Sequence, residues 1–371
     1  MKRALISLLL FLVVFLCCQC FIPYTLMQQE SFALFLTTPD YIRETFSAPW
    51  PVSHLVGNFI VQFFHFPYLG PAVLALLVTG IYLLLSIPFH KKALLLYSIV
   101  FGIILCSGAV VLGTNDRVRR LERLNAVEYQ AEHHQWQQLL KIATPQATRH
   151  DRSLLPYALL ALAETGELPT QLFAYPIHSI DDFYPEGWND RRGLAFGACL
   201  YECMGLTNEA IHKNFQAGDA LPHGASFGTL RTLMRLYRQQ GNDLLADKYR
   251  AILAHSTLHG KHPTPTPTTP CTAATAEQRN DSFRSLLITP DYFYNVTTLI
   301  AHGANTPILI DRSLCGLLAR RDLAHFMSLW NLLPHPEGEA IPPYYREALL
   351  LANPATQTEA QGAYTNYFMH P

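Results

Sequence analysis

The sequence predicts an all-α protein: N-terminal transmembrane helices followed by a tetratricopeptide-like α-solenoid domain. Three observations carry this. Three long apolar runs crowd the first 113 residues, helical periodicity without a strand pattern fills the rest, and a set of residues recurs at a spacing of 36. Half of the 371 residues are hydrophobic and 15% are charged, against roughly 25% charged in an ordinary soluble domain. The deficit lies almost wholly in the first 113 residues, so the chain reads as two parts suited to different solvents.

The first apolar run follows Met1, Lys2 and Arg3 and extends over about 4–22. It is longer than the apolar core of a cleaved signal peptide and ends without small residues at a cleavage site, so it reads as an uncleaved anchor. The second, about 71–88, is PAVLALLVTGIYLLLSIP, and the third, about 93–113, is ALLLYSIVFGIILCSGAVVLG. Each approaches the ~20 apolar residues that cross a bilayer core. His90, Lys91 and Lys92 form a basic turn between the last two, which must then be an antiparallel hairpin. Basic residues near span ends favour the cytoplasm. The N-terminus and this turn therefore place the chain after Gly113 outside, against the pull of Arg117, Arg119, Arg120 and Arg123.

Between the first two spans, HLVGNFIVQFFHF at about 54–66 is too short to cross. His54, Asn58, Gln62 and His65 recur at helical spacing and make one polar stripe on a greasy cylinder. The stripe fits an interfacial helix facing water or headgroups. The competing reading is a polar site inside the membrane part, of the kind an embedded enzyme or transporter component would use.

From residue 114 to about 255 the pattern is one of helical repeats. Leu194, Ala198, Tyr201, Gly205, Ala210, Ala217 and Pro222 fall at the spacings of a tetratricopeptide unit, and Leu230, Met234, Tyr237, Gly241 and Ala246 repeat them 36 residues on. A standard unit has ~34. Tyrosine fills the space between two helices, glycine ends the first at positive φ, and alanine lets the second approach. Gly205-Leu206 and Gly241-Asn242 are the expected tight turns. Weaker pairs are expected at 124–142, at 155–173 with Gly166 at the turn, and at 305–333 broken near Arg320-Arg321-Asp322. A Pro/Thr-rich linker at about 256–280 separates this region from a second helical block at 281–371.

The stretch 39–77 (PDYIRETFSAPWPVSHLVGNFIVQFFHFPYLGPAVLALL) resembles the opening of a family of uncharacterised multi-pass membrane proteins, found mostly in Bacteroidota. The stretch 129–249, with ALLALAETGELPTQLF and MGLTNEA, is similar to their helical-repeat part, as is PPYYREALLLANP near the end. The resemblance implies a fold and a location in the bacterial envelope rather than a reaction. Combined with the charge rule it places the protein in the inner membrane as an integral protein, with its C-terminal part periplasmic. The Pro/Thr run departs from the compact connection expected there.

Chemistry is sparse. The net charge of −1 shows no basic excess, so nucleic acid is not an expected partner. There is no phosphate loop, no Gly-x-Ser-x-Gly elbow and no His-Glu-x-x-His pair. Of eight cysteines, Cys17, Cys18, Cys20 and Cys106 lie in apolar runs, and Cys199, Cys203, Cys271 and Cys315 have no zinc or disulfide spacing. His133 and His134 point apart on a helix, and His255, His259 and His262 border the Pro/Thr run, so neither set is read as a metal site. The loop 181–192, DDFYPEGWNDRR, mixes aromatics and charge as partner-contacting loops do. Its Asp181, Asp182, Glu186 and Asp190 are not read as an acid–base pair. No catalytic, cofactor or metal residue is expected. The partners expected are membrane lipid and a protein held by the repeats, as for a scaffold or adaptor.

Overall fold

The computed structural model describes residues 2–89, 91–185, 189–259, 297–300, 306–335 and 340–370. Every regular element among the described residues is helical. The chain forms two compact units: Met1–Tyr129 with Leu221–Arg231 and Asp247–Thr264, and Gln130–Ala220 with Thr232–Ala246 and Pro265–Pro371.

In the first unit α1 (Lys2–Phe21) runs directly into α2 (Pro23–Phe32), followed by α3 (Pro39–Ser47), α4 (Pro51–Val61) and a 3-10 turn at Gln62–His65. Then come α5 (Leu69–Ser86), α6 (Lys91–Thr114) and α7 (Asp116–Glu132). Three helical stretches are long and apolar enough to cross a membrane: Arg3–Phe21, Leu69–Ser86 and Ala93–Thr114. They match the three spans read from hydropathy to within two residues at each end.

Helix α1 packs along α5, with Val14, Cys18 and Ala75 buried between them and Leu26 and Phe64 closing the same cluster. The outer faces are apolar and uncovered. Leu5, Leu9, Leu84, Leu96, Ile99 and Ile104 are each half exposed or more. Apolar surface on this scale is unfavourable in water and suits a lipid solvent. The Tyr82 and Ser98 hydroxyls meet at 2.7 Å, joining α5 to α6. Outside the spans, the Glu122 carboxylate of α7 accepts from the backbone N–H groups of Tyr24 and Thr25, at 2.7 and 2.9 Å. A carboxylate there satisfies donors that the first turn of α2 leaves orphaned and complements its dipole.

The second unit contains α8 (Trp136–Ile142), α9 (Pro145–His150), α10 (Leu155–Glu164), α11 (Leu168–Gln171), α12 (Arg191–Cys203) and α13 (Thr207–Asp219). Helices α14 (Phe227–Gln239) and α15 (Asp243–Ala254) contribute residues to both units. After the Pro/Thr run come α16 (Pro307–Ala319), α17 (Leu323–Leu332), α18 (Pro343–Ala352) and α19 (Ala363–Met369).

One closure recurs through this unit. At Gly205 (φ 78°) the Leu206 N–H returns to the Tyr201 carbonyl at 2.8 Å and the Gly205 N–H to Glu202 at 3.0 Å. At Gly241 (φ 78°) Asn242 returns to Tyr237 at 2.9 Å and Gly241 to Arg238 at 3.1 Å. These paired bonds satisfy helix-end carbonyls and require a left-handed residue, which glycine adopts at least cost. The same pair of bonds closes the helices ending at Gly166, His134 and Arg321, all at positive φ. In each case the next helix starts two residues later.

The expected turns at Gly166, Gly205 and Gly241 and the break at Arg320–Asp322 are therefore present. His134 and Arg321 take the same conformation without the residue type that announces it. Of the linker read at 256–280, residues 260–280 lie outside the described residues, while Ser256 and His259 are buried in the first unit. Cys271, His262 and His90 also lie outside the described residues.

Candidate functional site

The polar stripe leads to the site. His54 is exposed, but the other three members turn toward the interior of the first unit. Asn58 donates to the Tyr41 hydroxyl at 3.1 Å, and that hydroxyl donates to the Leu34 carbonyl at 2.6 Å. Gln62 is fully buried and donates to the Phe59 carbonyl at 2.9 Å. His65 ends the 3-10 turn beside the carboxylate of Glu30. An interfacial stripe facing water thus describes His54 alone. The α4 helix tightens into a 3-10 turn at Gln62 and packs its polar edge on α2. Spacing defines a stripe; only the packing partner decides which way it faces.

Glu30 sits in the last turn of α2 and is 1% exposed. Arg231, in the first turns of α14, grips it bidentately: Nη1 to Oε1 at 2.6 Å and Nη2 to Oε2 at 3.0 Å. His259 Nε2 lies 2.9 Å from Oε1, and His65 Nδ1 lies 3.6 Å from Oε2. The two imidazoles meet edge to face at 4.9 Å, and the Phe227 ring covers His259 at 4.2 Å. Three tertiary contacts bring the distant segments here. The Phe227 N–H bonds the Ala33 carbonyl at 2.8 Å, the Thr37 N–H bonds the His255 carbonyl at 2.9 Å, and Gly228 packs against Ser31 with no room for a side chain.

The electrostatics follow from burial and pairing. Burial by itself would raise the Glu30 carboxyl, but Arg231, aided by His259 and His65, outweighs it and holds the group well below the ordinary carboxylate range. Burial pushes the His259 imidazole down, and its contact with Glu30 restores only part of that. His259 is therefore neutral at pH 7. Its buried Nε2 is close to the carboxylate but lacks hydrogen-bond alignment.

Glu30, His65 and His259 each offer one ligand atom, all within 4.8 Å of one another, a set with the composition of a metal centre. Arg231 argues against that use. It already neutralises the carboxylate and would stand as a second cation beside any divalent ion. The arrangement is better suited to an internal ion pair flanked by two imidazoles.

Sequence reading found His65 and missed Glu30 and Arg231. They are 201 residues apart, and neither has a local signature. In the loop at 181–192, Glu186 and Trp188 lie outside the described residues. Asp182 pairs with Arg152 and completes a capping box with Ser179, while Asp190 caps α12 by accepting from the Gly193 N–H at 2.8 Å. These carboxylates serve local backbone and ion-pair needs. His133 and His134 come into no metal-ligating group among the described residues.

An all-helical protein with three candidate spans and a buried charged cluster defines a class compatible with a membrane location. Within that class the chain belongs to a family of unknown function (DUF6057), whose match covers residues 1–119 and 111–369. No curated protein and no solved structure matches it.

Proposed function

We propose that the protein is a membrane-anchored adaptor of the bacterial inner membrane, of the kind carried by Bacteroidota. In this reading α1, α5 and α6 hold it in the bilayer, and the tetratricopeptide-like hairpins, on the periplasmic side, hold a protein partner. The observation that carries it is the recurrence of one helix closure at Gly205 and Gly241, 36 residues apart with equal φ. Helix pairs of constant pitch stack into an extended surface, which binds polypeptides without catalytic groups.

The test is crosslinking in intact cells followed by purification from solubilised membranes. A reproducible partner, lost when α12–α15 is replaced by an unrelated helical segment, supports the adaptor. Absence of any partner enriched over a control membrane protein overturns it. Reporter fusions after Asn115 and near the C-terminus test the orientation. Cytoplasmic activity at both sites would refute the periplasmic assignment.

A second reading rests on the inward turn of Asn58 and Gln62 and on the contact of His65 with Glu30. Here the protein is a component of a membrane-embedded enzyme or transporter that uses this cluster. Alanine at His54, Asn58, Gln62 and His65 would then abolish complementation of a deletion strain at unchanged abundance. Full complementation would end this reading.

A further inference from the structure

The second unit contains a half-enclosed cavity of about 560 Å³ lined by α16, Tyr345 of α18, and Leu333–His335 and Ala340–Pro342. That volume lies in the range of small-molecule sites. Its walls are mainly apolar, with Ile310 and Leu314 from α16, Ile341, and four prolines. Proline walls are stiff, so little order has to be imposed when a guest enters.

One carboxylate lies among the described residues that line this space. Asp311 accepts from the Tyr345 hydroxyl at 2.9 Å through Oδ1, and its Oδ2 has no hydrogen-bond partner among the described residues. No arginine, lysine or histidine of the described residues forms an ion pair with it. The imidazole of His335 stacks on Trp330 at 4.0 Å, with its Nε2 2.7 Å from the Trp330 carbonyl. Burial pushes the Asp311 carboxyl up to about 6, against the Tyr345 hydrogen bond. It is still mostly ionised at pH 7.

A carboxylate in an apolar cavity without a counter-charge is costly, and a cation entering the cavity would remove that cost. The buried carboxylates Glu30 and Glu202 each hold an arginine bidentately, and buried Glu347 accepts from the Thr365 N–H and hydroxyl. Asp311 differs in facing a cavity instead.

We propose that this cavity binds an organic ammonium group, with the Asp311 carboxylate as its counter-ion and the walls of Ile310, Leu314 and Ile341 around its aliphatic stem. The site does not depend on the adaptor reading. The ammonium belongs either to a free small molecule or to a lysine side chain, and the two sources share one chemistry.

The test uses the full chain in lipid nanodiscs and titration calorimetry with N-acetyl-lysine methylamide. The neutral N-acetyl-norleucine methylamide is the control. Saturable binding of the lysine probe, at least tenfold tighter than the neutral one, is expected. Asp311→Asn should remove that difference, and Leu314→Trp should block both probes by filling the cavity.

Binding should weaken as pH falls through about 6, because Asp311 takes up a proton. Tyr345 from α18 and Cys315 from α16, which face Asp311, stay protonated throughout that range. A ten-residue peptide with one lysine that binds tenfold tighter than the free probe assigns the ammonium to a protein. Equal affinity assigns it to a small molecule. Equal binding of charged and neutral probes, or undiminished binding by Asp311→Asn, overturns the proposal.

Discussion

Replacing Arg231 with methionine keeps much of its length and removes its charge, leaving the Glu30 carboxylate buried at 1% exposure without its guanidinium. Breaking a buried pair from one side costs roughly 3–5 kcal/mol, because the remaining ion has lost its compensation. At roughly 2–4 °C per kcal/mol, this amounts to a fall of about 10 °C in Tm.

The sign of the pH dependence follows from the two shifted groups. Glu30 and His259 both have folded values below their ordinary ones. Each therefore contributes stability that is present above its unfolded pKa and lost as pH falls through the folded one. For His259 the loss begins below about 6.5, and for Glu30 below about 4.3. Without Arg231, one of the causes lowering His259 is gone. The imidazole can then take a proton and partly replace the guanidinium. The deficit of Arg231→Met should be smaller at pH 6 than at pH 8.

Thermal unfolding in nanodiscs at the two pH values measures this, with Glu30→Gln/Arg231→Met as the second variant. The double variant should recover part of the loss, since the uncompensated charge is gone. An Arg231→Met protein as stable as the parent, or a deficit that does not change with pH, would refute this account of the cluster.

Three further outcomes follow from the same physics. Gly241→Ala should cost about 1–2 kcal/mol from the positive φ alone, because an added Cβ meets nothing within 4 Å; urea titration measures it. Gly228→Ala should cost more, about 1–3 kcal/mol or above, because its Cβ would stand 2.8 Å from the Ser31 backbone oxygen; a wild-type midpoint would show that these segments part readily. Asp311 behaves oppositely to Glu30: its raised value contributes stability that is full below about 3.8 and is lost as pH rises through about 6. Asp311→Asn should therefore raise stability at pH 7.5 by up to about 3 kcal/mol and leave it unchanged near pH 4, and an equal effect at both pH values would contradict the assignment.

The local features were legible because local chemistry causes them. Runs of apolar residues mark α1, α5 and α6, since hydropathy over ~20 residues is the requirement for crossing a bilayer. Glycine marks the turns at 166, 205 and 241, since the left-handed conformation there excludes most other residues at low cost. His134 and Arg321 show the limit of that signal. They take the same conformation and were invisible as turns, because neighbouring helices and paired hydrogen bonds impose it on them.

The site was legible only in part. Helical spacing grouped Asn58, Gln62 and His65, but a lone helix presents the same stripe to water, lipid or protein. The tertiary structure decided the direction by setting Glu30 beside it. Glu30 reads in sequence as an ordinary solvated acid, and Arg231 as one arginine among several on an amphipathic helix. Their meeting across 201 residues of chain, and the cavity that leaves Asp311 with a single hydroxyl partner, are products of packing. The sequence by itself determined which segments are helical, which are apolar enough for lipid and where the main turns fall, because each depends on a few neighbouring residues. Only the tertiary structure decided which charges are buried and what faces them, because burial and pairing are properties of distant segments brought together.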